Sequence, residues 1–252
     1  METHHGHDFY DRPDVFTYYV KFTSRKQTPS ESIEKPIVLS LAGTELTGEV
    51  LDLGCGFGSL AKELLQRGAT NYTGVDASRK MIAFGRAVVK DERAVFIQAD
   101  INQWACPISS YDLVVSCSVF HYIEDLDTLL SKIYKSLKPG GQLILSVEHP
   151  LLSFFKNPQA IISYNEYTDK HLWETYDYFN EGPRIHAWMK ARVVKFHRSI
   201  EEYWRAVTAA GFRIESLKEG RHEEDKLPIG GNYKLIMQGP MFLIMKAVKA
   251  FD

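Results

Sequence analysis

The sequence predicts an α/β protein: a mostly parallel sheet with helices on both faces. Three observations predict it. Short runs rich in Val, Ile and Leu alternate with stretches whose apolar residues recur at helical spacing, the pattern of strand–helix–strand crossovers. A glycine-rich turn follows the first run and precedes the first such helix. Carboxylates end or flank three successive strands. The crossovers are expected to be right-handed.

Residues 1–47 carry no strong period. They hold Phe9, Tyr10, Phe16, Tyr18, Tyr19 and Phe22 and a polar stretch from Thr23 to Glu34, and are expected to form a partly helical arm or lid, with a simple packing extension as the alternative. The His4-His5-Gly6-His7-Asp8 cluster could bind a metal, but a frayed terminus is the expectation.

The main domain is placed at 48–252. Glu49–Leu53 reads as a buried strand ended by Gly54. Ser59 is expected to cap a helix with Leu60, Ala61, Leu64 and Leu65 inward, stopped by Gly68. Tyr72–Val75 is a second strand ending at Asp76. Ser78 is expected to cap a helix with Met81, Ile82, Val88 and Val89 inward. Ala94–Ile97 is a third strand, followed by Asp100, and Asp112–Ser116 a fourth. Leu126, Leu129, Leu130, Ile133 and Leu137 recur at helical spacing until Lys138-Pro139-Gly140-Gly141 breaks the helix. Gln142–Val147 is a fifth strand.

Residues 150–198 interrupt this rhythm. The segment holds ten aromatics (Phe154, Phe155, Tyr164, Tyr167, Trp173, Tyr176, Tyr178, Phe179, Trp188 and Phe196). It follows a strand end, where loops of open α/β sheets line the ligand crevice. It is read as a substrate-binding insertion with short elements of its own, with a packing or dimer element as the alternative. Ser199 and Glu202 then have capping-box spacing. The helix they open buries Tyr203, Val207 and Ala210 and ends at Gly211. Strands starting at Phe212 and spanning 241–248 close the chain as a hairpin, so the last strand is expected to be antiparallel.

Composition bounds the function. Lys plus Arg is 30 and Asp plus Glu 32, a net charge of −2, which disfavours a nucleic-acid-wrapping protein. No apolar run approaches the roughly 20 residues of a membrane span. The three cysteines, Cys55, Cys106 and Cys117, form no Cys-x-x-Cys pair, so a reducing cytoplasm is expected. No His, Cys or Asp spacing suggests a metal site.

The strongest motif is Val50-Leu51-Asp52-Leu53-Gly54-Cys55-Gly56-Phe57-Gly58. Missing Cβ atoms let the backbone approach a ligand closely, and a helix N-terminus adds free N–H groups. A dinucleotide fingerprint wants G-x-G-x-x-G. Here the third glycine comes one place early, which counts against NAD chemistry. Asp52 would repel a pyrophosphate but suits an ammonium group, so the loop fits a zwitterionic amino-acid moiety. Asp76, 22 residues after Gly54, can accept hydrogen bonds from both ribose hydroxyls. Asp100 or the Ile101 backbone could read an adenine edge, and Met81 could pack on its face.

The chain resembles the class I S-adenosylmethionine-dependent methyltransferases. The matching pieces are VLDLGCGFG (50–58), GVDAS (74–78), QAD (98–100), YDLVVSCSVFHYIED (111–125) and LKPGGQLILSVEHP (137–150). The resemblance is strongest to the small-molecule, type 11-like branch. It implies a Rossmann-like, seven-stranded sheet of order 3-2-1-4-5-7-6 with strand 7 antiparallel. It implies S-adenosyl-L-methionine as cofactor and S-adenosyl-L-homocysteine as product. It places cofactor contacts at Gly54, Gly56, Asp76, Ala77, Asp100, Ile101 and Ser116, with Asp52 near the methionine end and Gly58 completing the loop. Cys55 lies in that loop and is assigned a packing role. An N-P-P-Y-type motif after strand four is absent, which disfavours amide or base nitrogen methylation.

The expected function is methyl transfer to an O, N or S atom of a small, apolar or aromatic acceptor. The alternative is a non-catalytic cofactor-binding module. A hydroxyl acceptor would need a general base. His121, His149 and His197 follow or precede strand ends and are the candidates for base or acceptor positioning, with Tyr122 and Glu148 behind them. His149 and His197-Arg198 could instead anchor the insertion. His171, His186 and His222 read as surface positions. No nucleic acid or membrane partner is expected, and the protein is read as a monomer or homodimer.

Overall fold

The computed structural model describes residues 3–23, 28–152, 162–165, 170–173, 177–189, 191–221 and 239–251. In chain order the elements are β1 (Thr3–His4), α1 (Gly6–Asp11), α2 (Pro13–Thr23), a π-turn (Ser30–Glu34), α3 (Lys35–Ala42), β2 (Glu49–Leu53), α4 (Ala61–Gln66), β3 (Asn71–Asp76), α5 (Arg79–Val88), β4 (Ala94–Gln98), β5 (Tyr111–Cys117), a 3-10 turn (Phe120–Tyr122), α6 (Leu126–Ser136) and β6 (Leu137–Glu148). Then come β7 (Ile162–Asn165), β8 (Lys170–Trp173), β9 (Gly182–Trp188), β10 (Ala191–His197), α7 (Ile200–Ala209), β11 (Arg213–Gly220) and β12 (Phe242–Val248).

Seven strands form the central sheet in the order β11-β12-β6-β5-β2-β3-β4. Numbered within that sheet, this is the expected 3-2-1-4-5-7-6. The last strand, β12, runs antiparallel to both neighbours. Alternation along the strands feeds two cores. Leu51, Leu53, Val114, Leu143, Leu145 and Met245 pack with α6 and α7 on one face. Val50, Leu113, Val115, Ile144 and Ile244 pack with α3 and α4 on the other. No helix among the described residues is long and apolar enough to cross a membrane.

Several local expectations are corrected. Ser59 caps nothing. The glycine turn runs directly into α4, whose first N–H, on Ala61, already bonds to Gly58 O at 3.1 Å. The Ser59 carbonyl instead accepts from Lys35 Nζ. Val88 is 49% exposed, because the inner stripe of α5 runs through Met81, Ile82 and Gly85. Leu137 opens β6 rather than ending α6. Ser78 does cap α5, and Ser199 caps α7 through Glu202 N–H. The other half of the capping box is missing. Glu202 turns to Arg205, and the Ser199 N–H donates to Glu181 at 2.8 Å.

The terminus is not frayed at Thr3–His4. These residues pair in parallel with Arg192–Val193 of β10, forming a three-stranded sheet with the β9–β10 hairpin. His4 Nε2 lies 2.6 Å from Arg12 Nη1. Arm and insertion thus share a small core of Phe9, Val15, Ala191 and Val193. The side chains of the first six insertion aromatics, and the polar stretch from residue 222 to Lys226 between the last two strands, lie outside the described residues.

Candidate active site

The glycine turn is stitched to the end of β3. Gly54 and Cys55 donate their N–H groups to Val75 O at 2.8 and 3.1 Å. Gly56 donates to Asp76 Oδ2 at 2.9 Å, and Ser78 N–H to Asp76 Oδ1 at 2.8 Å. Gly54 has φ +71°, and a Cβ there would lie 2.2 Å from Val119, so it is glycine for packing reasons. Gly56 has φ +55°, and a Cβ there would meet nothing within 4 Å. It is the loop position that opens onto free space, a cradle a ligand can approach. Gly58 closes the turn by donating to Cys55 O. Cys55 is buried with Sγ against Gly74, matching the packing role, and burial pushes its thiol far up.

Asp52 is 3% exposed and accepts from the Tyr72 hydroxyl at 2.7 Å. Burial pushes its carboxyl up to about 7, against that donor. Sequence reasoning missed Tyr72. Strand register contains the signal: Asp52 faces Gly74 across β3, and Tyr72 lies two residues along on the same face. Ser116 is fully buried, donating to Leu53 O at 2.9 Å and tying β5 to the end of β2. Ala77 is half-buried between Asp76 and the cap Ser78. Met81 is buried in the first turn of α5. Asp100 folds back to accept from Asn102 N–H and Nδ2, and the Ile101 side chain enters the core.

The arm covers this end of the sheet. Asp11 accepts from Ser78 Oγ (2.6 Å), Lys80 N–H (3.0 Å) and Arg79 N–H (3.3 Å). Burial opposes ionisation, but these donors hold its carboxyl below the usual range. Tyr19 touches Phe57 of the glycine turn, ring to ring. Glu34, 1% exposed, accepts from Ser118 Oγ at 2.6 Å and from Ser146 and Ser30. Burial raises its carboxyl against those donors. Ser118, just past β5, has φ +57°, an uncommon conformation for a residue other than glycine. Neither Asp11 nor Glu34 stood out in the sequence, because each acts far from its place in the chain.

The three candidate histidines do not form one group. His121 Nδ1 accepts from Glu148 N–H at 3.4 Å, and burial lowers its pKa to about 3. His149 accepts at Nδ1 from Leu151 N–H and donates from Nε2 to Glu219 at 3.0 Å. His197 donates from Nε2 to Tyr178 O at 2.9 Å. Arg198 donates to the carbonyls of Ile123 and Glu124. His197 thus ties the end of β10 to Tyr178 of the insertion, whereas His149 ties the end of β6 to β11.

A second cluster gathers between arm, β6 end and insertion. The Tyr10 and Tyr122 hydroxyls are 3.2 Å apart. Lys195, 2% exposed, bonds Glu148 and lies over the Tyr122 and Trp188 rings at 5.6 and 5.4 Å. Burial alone would raise Glu148, but Lys195 and His121 bring it down to about 2. His186 is 8% exposed, not a surface residue. It is turned inward on β9, and burial lowers its pKa to about 4.

Comparison with known proteins bears on this geometry. A methyltransferase-domain family model matches residues 51–145. An uncharacterized protein of Haemophilus influenzae is 31% identical over 246 residues, 95% of this chain and 96% of that one. The crystal structure of an S-adenosylmethionine-dependent methyltransferase from Mesorhizobium loti superimposes with a TM-score of 0.79 at 28% identity, covering 88% of this chain and 98% of that one. The trans-aconitate 2-methyltransferase of an Azoarcus species is 30% identical over 133 residues, 52% of this chain and 49% of its own. The chain thus spans about half the length of that relative. The open cradle at Gly56, with carboxylates at the ends of β2 and β3, fits the amino-acid and ribose parts of S-adenosylmethionine, the cofactor of this fold. On these matches the chain belongs to the class I S-adenosylmethionine-dependent methyltransferases, with a type 11-like methyltransferase domain.

Proposed function

We propose that the chain methylates an O, N or S atom of a small acceptor enclosed between its arm (1–47) and its insertion (150–198). The observation that carries this reading is the joint construction of those two segments. β1 pairs with β10, Asp11 seats α1 on α5, and Tyr10 meets Tyr122. Such a roof over the strand ends favours a small molecule over a polymer. The named relative acts on a small acid, which supports the same class.

When bound, S-adenosylmethionine supplies an electrophilic methyl group on a sulfonium. The chain's own residues orient and exclude. Gly54, Gly56 and Gly58 shape the backbone for close approach. Asp76 and Ala77 border the ribose, and Asp52 offers its carboxylate to the ammonium end. Met81, Asp100 and Ile101 border the adenine. Ser116 and Cys55 fix the strand ends that hold the loop. Holding nucleophile and methyl aligned supplies up to about 7–11 kcal/mol in well-oriented systems. His149 and His197 act as positioning residues for the insertion, and His121 as a wall of the chamber.

Calorimetric titration with S-adenosylmethionine, S-adenosylhomocysteine and NAD tests the cofactor side. Binding of the first two and not of NAD is expected, with slow turnover to S-adenosylhomocysteine once acceptors are added. Binding without turnover over a broad screen of small acids, phenols, amines and thiols would overturn the catalytic reading.

A further inference from the structure

Building on that reading, the geometry points to a carboxylate as the acceptor, gripped by Lys195, Trp188 and the Tyr10–Tyr122 pair and converted to its methyl ester. The cluster between arm and insertion has more donors than acceptors. Among the described residues Trp188 Nε1 is buried beside the Tyr10 hydroxyl and makes no hydrogen bond of full geometry, and an indole N–H can only donate. His186 Nε2, on a ring more than nine-tenths buried, is also unmatched among the described residues, and a neutral imidazole nitrogen donates or accepts according to its tautomer. Native structures rarely leave such groups unpaired, and a bound ligand is a ready remedy. The two tyrosine hydroxyls share one hydrogen bond, so the pair has a second proton to give. Lys195 has three N–H groups, one of them on Glu148. Glu148, the anionic side chain of the cluster, is already engaged. A carboxylate brings about four lone-pair sites and a negative charge to these donors. An amine would add donors to a cluster short of acceptors.

The same residues offer an alcohol or phenol little help. His149 uses both ring nitrogens, His197 binds a carbonyl through Nε2, and His121 Nδ1 is taken by a backbone N–H. A hydroxyl acceptor needs a base, whereas a carboxylic acid, with pKa near ~4, arrives ionised. Its oxygen forms the new bond to the methyl carbon as the carbon–sulfur bond breaks, and that bond's electron pair stays on sulfur. The charges on oxygen and sulfonium cancel, no proton moves, and no further reactant is consumed. His186 is the rival base, and a phenol activated by it is the competing outcome.

The test offers the whole protein methyl-labelled S-adenosylmethionine with benzoate, cinnamate, succinate or trans-aconitate, and with phenol, benzylamine and thiophenol as controls. Mild alkali then releases label as volatile methanol from methyl esters, and not from ethers, amines or thioethers. Alkali-labile label from at least one acid is expected. Lys195→Met would strand Glu148 and risks misfolding, so the diagnostic variant is Trp188→Phe, which keeps a ring and removes the indole N–H donor. Its thermal stability and S-adenosylhomocysteine affinity should stay within twofold-equivalent error. Its KM for the acid should rise about tenfold, more than kcat falls. Three results would overturn the proposal: only alkali-stable label, no acid bound by the protein–S-adenosylhomocysteine complex in calorimetry, or an unchanged KM in Trp188→Phe. Failure to bind S-adenosylmethionine at all would instead sink the methyltransferase reading beneath it.

Discussion

The two halves of the site are built by different means. The cofactor half is a local construction. A turn of five residues and two strand ends supply it, largely through backbone N–H groups and glycine conformations. The proposed acceptor half is a meeting of side chains from Tyr10, Tyr122, Glu148, His186, Trp188 and Lys195, drawn from four separate stretches of chain. A shared cofactor is served by a fixed backbone. A particular acceptor is served by side chains that can vary without disturbing it.

Glu148→Gln should break the acceptor half most severely. It leaves the Lys195 charge buried without its partner, at about 3–5 kcal/mol, read as a lowered urea midpoint. Gly54→Ala should cost the other half nearly as much. Positive φ adds about 1–2 kcal/mol and the clash with Val119 about 1–3 kcal/mol. Gly56→Ala carries only the backbone cost, about 1–2 kcal/mol. It should fold yet lose cofactor affinity in calorimetry, because its Cβ enters the open cradle. Equal stability of the two alanine variants would refute that division.

Asp76→Ala should weaken S-adenosylhomocysteine binding by about 1–3 kcal/mol while Trp188-side behaviour stays intact. Unchanged affinity would remove Asp76 from the ribose. The pH response separates the halves by sign. Asp52 is raised to about 7, so the folded state holds a proton the unfolded chain has lost. Its contribution is full below pH 4 and disappears as pH rises through 7. His121 and His186 are lowered to about 3 and 4. Their contribution is full above pH 6.5 and fades as pH falls through those values. Asp52→Asn should therefore gain in melting temperature relative to wild type between pH 4 and 7. A flat difference would place Asp52 at an ordinary pKa. The finest discrimination concerns the ammonium. If Asp52 receives it, cofactor binding at pH 7 should release up to about half a proton, seen by calorimetry in buffers of different ionisation enthalpy.

The same division decides what could be read from sequence. Strand alternation, the glycine turn, the Ser78 and Ser199 caps and the closing hairpin with its antiparallel strand are local patterns, and the sheet order came through the resemblance those motifs carry. The pairing of Thr3 with Arg192 leaves no local trace, since a two-residue strand has no period. His186 reads as a surface residue because strand alternation sends it to the face opposite its apolar neighbours Ile185 and Ala187; in the structure those two are exposed, and the covering arm makes the His186 face a core. His149 looked like a base because a histidine at a strand end is free in one dimension. Glu219, 70 positions later in the chain, engages it in three.

The position of β12 has a consequence for biogenesis. The last strand made lies inside the sheet, between β6 and β11. Until it emerges from the ribosome, β6 is a bare edge of Leu143, Leu145 and Val147, a template for pairing between nascent chains. The glycine turn and its flanking strands, complete at Asp76, are made long before β12. A chain cut short before Phe242 would carry every cofactor motif and still be expected to aggregate, so solubility of carboxyl-terminal truncations reports on β12 rather than on the motifs.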